Sequence, residues 1–328
     1  MPGKEGGHAP KSRRASAGPP LQVEFKADRS PVTLADRESE RLLRQRLEER
    51  FPEHGILGEE YGLTRAEGRL RWLVDPIDGT QSYIRGVPLY GVMLGLVELG
   101  AGESGESDPL VGVVHFPALD ETLVAWRGGG CWWSRGAGRV RARVSEVARL
   151  EDATLLATDP IDLRGPKKQG GYERLKRRVK LERGWGDCYG HALVATGRAE
   201  IMLDAALNEW DAAPLIPIVE EAGGRFTDWR GRRTISGGDG FATNGALYEQ
   251  VLSVLRPATG DRLGDDPASA GRLVTGGKKV ARRAQSRQET QSSGRDAADE
   301  PGRRPSGAWA ARAGRNWLQK GINSFCEA

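Results

Sequence analysis

Apolar residues along this chain fall into two rhythms that alternate through its middle. Short runs rich in β-branched and aromatic residues occupy 70–74, 91–98, 111–115 and 122–126, each of a length suited to a strand. Helical spacing of apolar positions covers about 34–51, 171–180, 187–198 and 211–222, with Leu42, Leu43 and Leu47 marking the first. Strands interleaved with helices predict an α/β or α+β layered fold, and they argue against an all-β sandwich or a helical bundle. Between two of the strand runs, Gly102-Glu103-Ser104-Gly105-Glu106-Ser107-Asp108 reads as a polar hairpin-type connection. No internal repeat is apparent.

The rhythm stops at both ends. Residues 1–20 are rich in Gly, Pro, Lys and Arg and hold no apolar run, so they predict a disordered basic leader, neither a signal peptide nor a membrane span. Residues 257–328 are dominated by Gly, Ser, Ala, Asp and Arg and predict a disordered basic tail. Near its end, Trp309, Trp317, Leu318, Ile322 and Phe325 could line one short amphipathic helix, though a short isolated helix is marginal on its own. This leaves 21–256 as the expected domain, long enough for a sizeable core.

Charge sharpens that division. The net charge of the 328 residues is +4. The leader carries four basic side chains against one acidic and the tail thirteen against eight, so 21–256 is itself net acidic at −4. An acidic body suits cation recruitment better than nucleic-acid binding, and neither nucleic acid nor membrane is expected as a partner. Cys131, Cys188 and Cys326 are too few and too scattered for a disulfide framework, so a reducing cytoplasm is the default expectation. His8, His54, His115 and His191 show no metal-ligand spacing.

The candidate chemistry centres on Trp72-Leu73-Val74-Asp75-Pro76-Ile77-Asp78-Gly79-Thr80, with Gly58-Glu59-Glu60 just upstream. The apolar run should deliver Asp75 to the end of a buried strand, stopped there by Pro76, which biases its predecessor toward extended backbone. Gly79 lacks a Cβ and lets an anion approach the backbone of the next element. Carboxylates grouped about such a turn suit a divalent cation, although Asp-Pro and Asp-Gly pairs are also ordinary turn formers. Downstream, Asn208-Glu209-Trp210-Asp211-Ala212-Ala213 opens an apolar helix, where Asp211 could equally be a plain N-cap.

Taken together, these segments resemble the inositol monophosphatase family of magnesium-dependent phosphomonoesterases, in order from about 21 to 256. The resemblance rests on Lys26, Ser30-Pro31-Val32-Thr33-Leu34-Ala35-Asp36, Gly58-Glu59-Glu60, Asp75-Pro76-Ile77-Asp78-Gly79-Thr80 and Trp210-Asp211-Ala212-Ala213. It implies an α-β-α-β-α sandwich with the acidic motifs converging between two sheets. It further implies one Mg²⁺ held by Glu59, Asp75 and the Ile77 carbonyl, a second by Asp75, Asp78 and Asp211, and a third, weaker ion reached by Glu59 through water. Two cations roughly 3.5–4 Å apart neutralise a phosphate ester, activate water and stabilise the leaving alkoxide. Asp36 and Thr80 are implied to orient and deprotonate that water, with Gly79 and Thr80 beside the phosphate. Thr33-x-x-Asp36 also fits a capping box before Leu42, and both roles can hold at once.

Residues 183–191, Arg-Gly-Trp-Gly-Asp-Cys-Tyr-Gly-His, are similar to the branch of the family that acts on histidinol phosphate. A substrate bearing an ammonium and an imidazole calls for anionic partners, which Asp187 and Asp204 could supply; an inositol ring would call for neutral ones. The plainer reading makes Asp187 an N-cap of the helix from about 188, with Tyr189 and His191 packed at helical spacing. The expected substrate is thus a small-molecule phosphate ester, histidinol phosphate first, an inositol or broader sugar phosphate second. Family members are commonly dimers, and a homodimer is expected. A helix that usually precedes the Lys26 segment is replaced here by the basic leader, and Glu209 and Pro214 also depart from the family pattern. Those departures keep a reading of another class in view: a catalytically impaired relative whose basic ends serve interaction.

Overall fold

A computed structural model of the chain describes residues 23–25, 31–65, 67–102, 105–159 and 168–256. The leader, the long tail with its amphipathic pattern, Lys26 and Ser30 lie outside them. The described chain opens with β1 (Val23–Phe25) and β2 (Pro31–Thr33), an antiparallel pair, and then α1 (Leu34–Arg50). It continues through β3 (Gly55–Gly58), β4 (Gly62–Thr64), β5 (Leu70–Asp78) and the short α2 (Thr80–Tyr83). A run of antiparallel strands follows: β6 (Gly91–Glu98), β7 (Asp108–Phe116), β8 (Glu121–Trp126), β9 (Gly130–Arg135) and β10 (Gly138–Arg141). The remainder alternates: β11 (Thr154–Ala157), α3 (Gln169–Lys176), β12 (Leu181–Arg183), α4 (Asp187–Ala195) and β13 (Ile201–Asp204). The last elements are α5 (Glu209–Glu221), β14 (Arg225–Thr227), β15 (Gly240–Thr243) and α6 (Tyr248–Leu255).

These strands build an eight-stranded sheet in the order β10-β9-β8-β7-β6-β5-β3-β4 and a five-stranded sheet in the order β12-β11-β13-β15-β14. Burial sorts the molecule into layers. Leu47 of α1 packs with Ile56, Trp72, Val74, Leu94, Val113 and Val124 on one face of the large sheet. The opposite face, with Leu73, Met93, Val114 and Leu123, meets Ala192 and Val194 of α4, Ala213 and Ile216 of α5, and Met202, Phe226 and Ala242 of the small sheet. Beyond the small sheet, Leu155, Leu203 and Phe241 pack with Tyr172 and Leu175 of α3 and Val251 and Leu255 of α6. The order is therefore α-β-α-β-α, as expected, and successive residues of each central strand face different layers because side chains alternate along a strand.

Three sequence expectations shift. β5 does not stop at Asp75 but runs to Asp78, with a slip in its pairing to β6 between those residues. Pro76, which has no N–H to give a ladder, is accommodated at that irregularity, and the Ile77 N–H turns to Asp75 Oδ1 at 2.9 Å instead. The helix expected over 171–180 ends at Lys176, and 181–183 adds an edge strand. Finally, α5 begins at Glu209, ahead of the expected 211, and both Pro214 and Pro217 lie inside it. Each proline removes an intrahelical hydrogen bond and frees a carbonyl, and the helix backbone here also lies very close to the large sheet. A Cβ on Gly95 would lie 2.9 Å from the Pro214 nitrogen, and one on Gly112 only 2.0 Å from the Pro214 oxygen. Glycine at both positions lets α5 lie flush on β6 and β7.

The close approach generates a prediction for stability. Gly112→Ala places a methyl group against main chain that cannot swing aside, and should lower unfolding stability by about 1–3 kcal/mol. An unshifted urea midpoint in that variant would show that the helix and sheet can part at no cost.

Candidate metal and substrate site

The layers dictate which side chains meet. Because Trp72 and Val74 face α1, Leu73 and Asp75 face the layer of α4 and α5. Asp211, in the first turn of α5, comes to the same place, and Asp78 follows the slip in β5. Oxygens of Asp75, Asp78 and Asp211 all lie within 4.8 Å of one another, with Asp75 and Asp211 buried. Glu59 stands outside that tightest set, yet its charge acts on both Asp75 and Asp211.

Three of these carboxylates are held by backbone before any cation arrives, Asp75 by the Ile77 N–H already described. Asp211 is not the N-cap of α5; that residue is Asn208, whose N–H donates to Asp211 Oδ2 at 2.8 Å in a capping box. Asp78 Oδ2 accepts the Cys188 N–H at 2.6 Å. Glu59 is placed from beneath: Glu40 of α1, fully buried, accepts the N–H groups of Glu60 at 2.7 Å and Tyr61 at 3.2 Å. Arg44, one turn on, pairs with Glu40 at 2.6 Å, and Gly58 leaves room for the carboxylate, since a Cβ there would fall 2.0 Å from it. Sequence reading missed Glu40 and Arg44. The signal was the stripe Asp36, Glu40, Arg44, Leu47, one helix face whose members are all buried.

The water-activating candidates are each held by a local partner. Asp36, 1% exposed, spends Oδ2 on the N–H of Thr33 at 2.8 Å and its hydroxyl at 2.6 Å, so the capping box is formed. Thr80 gives its hydroxyl proton to the Ile77 carbonyl at 3.1 Å. The two are not hydrogen-bonded to each other here, because each has a nearer local partner. They remain neighbours through α2, where the Asp36 charge acts on Tyr83. The Ile77 carbonyl, expected to face a cation, keeps a second lone pair beyond that bond.

Asp187 and Asp204 part company. Gly186, not Asp187, occupies the N-cap of α4, and Asp187 stands at φ +52° with its Oδ2 3.0 Å from where a Cβ on Gly79 would be. Its carboxylate points at the turn of the acidic motif and accepts no hydrogen bond among the described residues, so capping does not explain it. Asp204, by contrast, is 3% exposed, with Oδ2 2.6 Å from His191 Nε2 and Oδ1 accepting the Thr158 hydroxyl. Each of its oxygens thus has a partner within the fold, whereas the Asp187 carboxylate has none among the described residues.

Electrostatics show what the cluster needs. Burial first, and then the neighbouring carboxylates Glu59, Asp78 and Asp211, lift Asp75 well above the usual carboxylate range. Burial and Asp211 push Asp78 up to about 7, against the opposing pull of the Cys188 bonds. Burial, with Glu59 and Asp204 adding to it, pushes Asp211 up to about 7; burial followed by Asp78 and Asp204 pushes Asp187 up to about 8. Among the described residues no Lys or Arg pairs with any of the four. An all-oxygen set of carboxylates with uncompensated charge fits a hard divalent cation.

Comparison with known proteins shows the family. The inositol monophosphatase family pattern matches residues 8–259. A histidinol-phosphatase of Chlorobaculum parvum is 42% identical over 243 residues, covering 74% of this chain and 90% of its own. One from Mycobacterium tuberculosis is 40% identical, covering 72% and 88%. Among solved structures, the IMPase of Thermotoga maritima superposes with a TM-score of 0.61 at 33% identity, covering 71% of this chain and 87% of its own. The chain belongs to the inositol monophosphatase family, and it is a phosphoric monoester hydrolase.

The lifted carboxylates predict a pH response. An acid whose pKa is higher folded than unfolded binds more protons in the folded state between the two values, so stability falls as pH rises through that window. Metal-free protein should therefore melt at progressively lower temperature from about pH 4 to about pH 7, and a divalent cation should stabilise it more at about pH 8 than at about pH 5. A cation effect that is larger at the acid end would contradict a cluster that must lose protons to bind.

Proposed function

We propose that this chain hydrolyses histidinol phosphate to histidinol and inorganic phosphate, with Mg²⁺ at the Glu59, Asp75, Ile77, Asp78 and Asp211 site. The observation that carries the substrate is Asp187: a half-buried carboxylate, outside the tight metal cluster, aimed at the Gly79 turn and accepting no hydrogen bond among the described residues. A cationic substrate supplies the charge partner that the fold leaves out, whereas a neutral inositol ring would not offset a half-buried charge. The relatives named histidinol-phosphatase support the same choice.

When bound, Mg²⁺ would neutralise the phosphate oxygens and lower the pKa of water. The chain does the rest. Gly79, in left-handed backbone at φ +80°, opens α2 without a Cβ, so the first N–H groups of that element can face a phosphate oxygen. Thr80, its proton committed to Ile77, offers lone pairs to an O–H of the attacking water. Asp36, held by Thr33 on the adjoining helix, supplies the negative charge that favours loss of that proton. Attack at phosphorus breaks the bond to the ester oxygen, which takes up a proton and leaves as the alcohol. Asp187 meanwhile binds the ammonium or imidazolium end and fixes the ester in line.

Purified protein with saturating Mg²⁺ should release phosphate from histidinol phosphate faster than from inositol 1-phosphate; release from neither would remove the enzymatic reading, and preference for the inositol ester would remove the substrate assignment. Asp78→Asn, which keeps the volume but not the charge, should lower kcat by more than about a hundredfold and weaken Mg²⁺ binding together. Asp187→Ala should raise KM for histidinol phosphate while hydrolysis of p-nitrophenyl phosphate changes little. Equal losses on the two esters would return Asp187 to a structural role.

A further inference from the structure

Thr158 follows the last residue of β11 and carries no role so far. It sits where three elements meet. Its hydroxyl proton goes to Asp204 Oδ1 at the end of β13, and its oxygen accepts the N–H of Asp187 at 2.9 Å. Asp204 is fixed in turn: Oδ2 faces His191 Nε2 of α4 at 2.6 Å, and its carbonyl accepts the indole N–H of Trp229 at 3.1 Å. A carboxylate only accepts, so this pairing places the imidazole proton on Nε2. His191 is fully buried, its ring 5.5 Å from that of Phe226, and its Nδ1 meets no partner among the described residues. The chain of contacts is thus closed at the His191 end and open only at Asp187.

At that open end the backbone is in an unfavourable state. Asp187 stands at φ +52°, a left-handed conformation that a residue with a side chain adopts only when its surroundings hold it there. Two things do so. Gly186 lies flush on Thr158, where a Cβ would come 2.3 Å from the Thr158 Cα, and the Thr158 oxygen captures the Asp187 N–H directly. The same turn delivers the next N–H, that of Cys188, to Asp78 Oδ2.

We propose that Thr158 is the positioning residue that sets substrate selectivity: anchored through Asp204 to His191, its hydroxyl holds Asp187 in the left-handed turn that aims its carboxylate at the Gly79 segment. The proposal rests on the reading that Asp187 faces the cationic end of the substrate. It assigns Asp204 and His191 to the support of that turn. A hydroxyl is required because one small group must donate to a carboxylate and accept from a main-chain N–H at the same time, which serine can do and valine cannot.

The test is steady-state kinetics of the full chain with Mg²⁺, comparing Thr158→Val and Thr158→Ser on histidinol phosphate and p-nitrophenyl phosphate. Thr158→Val should raise KM for histidinol phosphate about tenfold or more with kcat within about threefold, and shift kcat/KM for p-nitrophenyl phosphate by less than about threefold. Thr158→Ser should restore the wild-type KM. Should the valine variant fail to fold, Thr158→Ala removes the same hydroxyl from a smaller side chain and is judged by the same ratio. Equal losses on both esters, or none, overturn the role of Thr158. A wild-type enzyme that prefers inositol 1-phosphate instead overturns the underlying substrate reading, and the inference with it.

Discussion

Four crowded aspartates, two buried and two half-buried, govern how this molecule is built. Asp75, Asp78, Asp187 and Asp211 come from a strand, its continuation and two helices, and burial with mutual repulsion lifts the pKa of each. Left alone, such a group would open the cleft or swing its side chains into solvent. The surrounding structure prevents that with main-chain donors rather than with cations of its own. An Asn208 N–H holds Asp211 and a Cys188 N–H holds Asp78. The negative potential is kept for a ligand.

The same device recurs at α1 and α5. Both helices open with a capping box whose third residue is a candidate for chemistry, Asp36 in one and Asp211 in the other. Capping and function are therefore not rivals at these positions: the bond to the cap residue fixes the carboxylate rotamer and leaves further lone pairs free. Placement of α5 depends on Gly95 and Gly112, which let a helix containing two prolines lie against the large sheet. Placement of the Glu59 segment depends on Glu40 and Arg44 under Gly58. Selectivity and catalysis thus draw on packing contacts well away from the reacting atoms.

Much of the layered architecture was legible. Strands 91–98 and 122–126 appear with nearly the expected bounds because both lie in the middle of a sheet and alternate cleanly between two buried faces. The small sheet was harder to see: β11 to β15 are three or four residues each, too short to show a period, and are defined by partners far away in the chain. β5 ran past Pro76 against expectation, since a slip in pairing absorbs the missing donor.

For the site, it was the ordered motifs carrying the family resemblance that pointed to Glu59, Asp75, Asp78 and Asp211 as the acidic set, since carboxylates beside ordinary turn formers do not single themselves out. The similarity of residues 183–191 to one branch of the family brought in Asp187 together with Asp204, with a helix N-cap as the plainer reading of Asp187. Only tertiary structure separated Asp187 from Asp204, which look alike in sequence. One stands in a strained turn with its carboxylate facing the acidic motif; the other is closed off by His191 and Thr158. Local pattern reports which side chains are acidic, but whether an acid is free for a ligand depends on donors brought to it from other layers, and that is settled by folding alone.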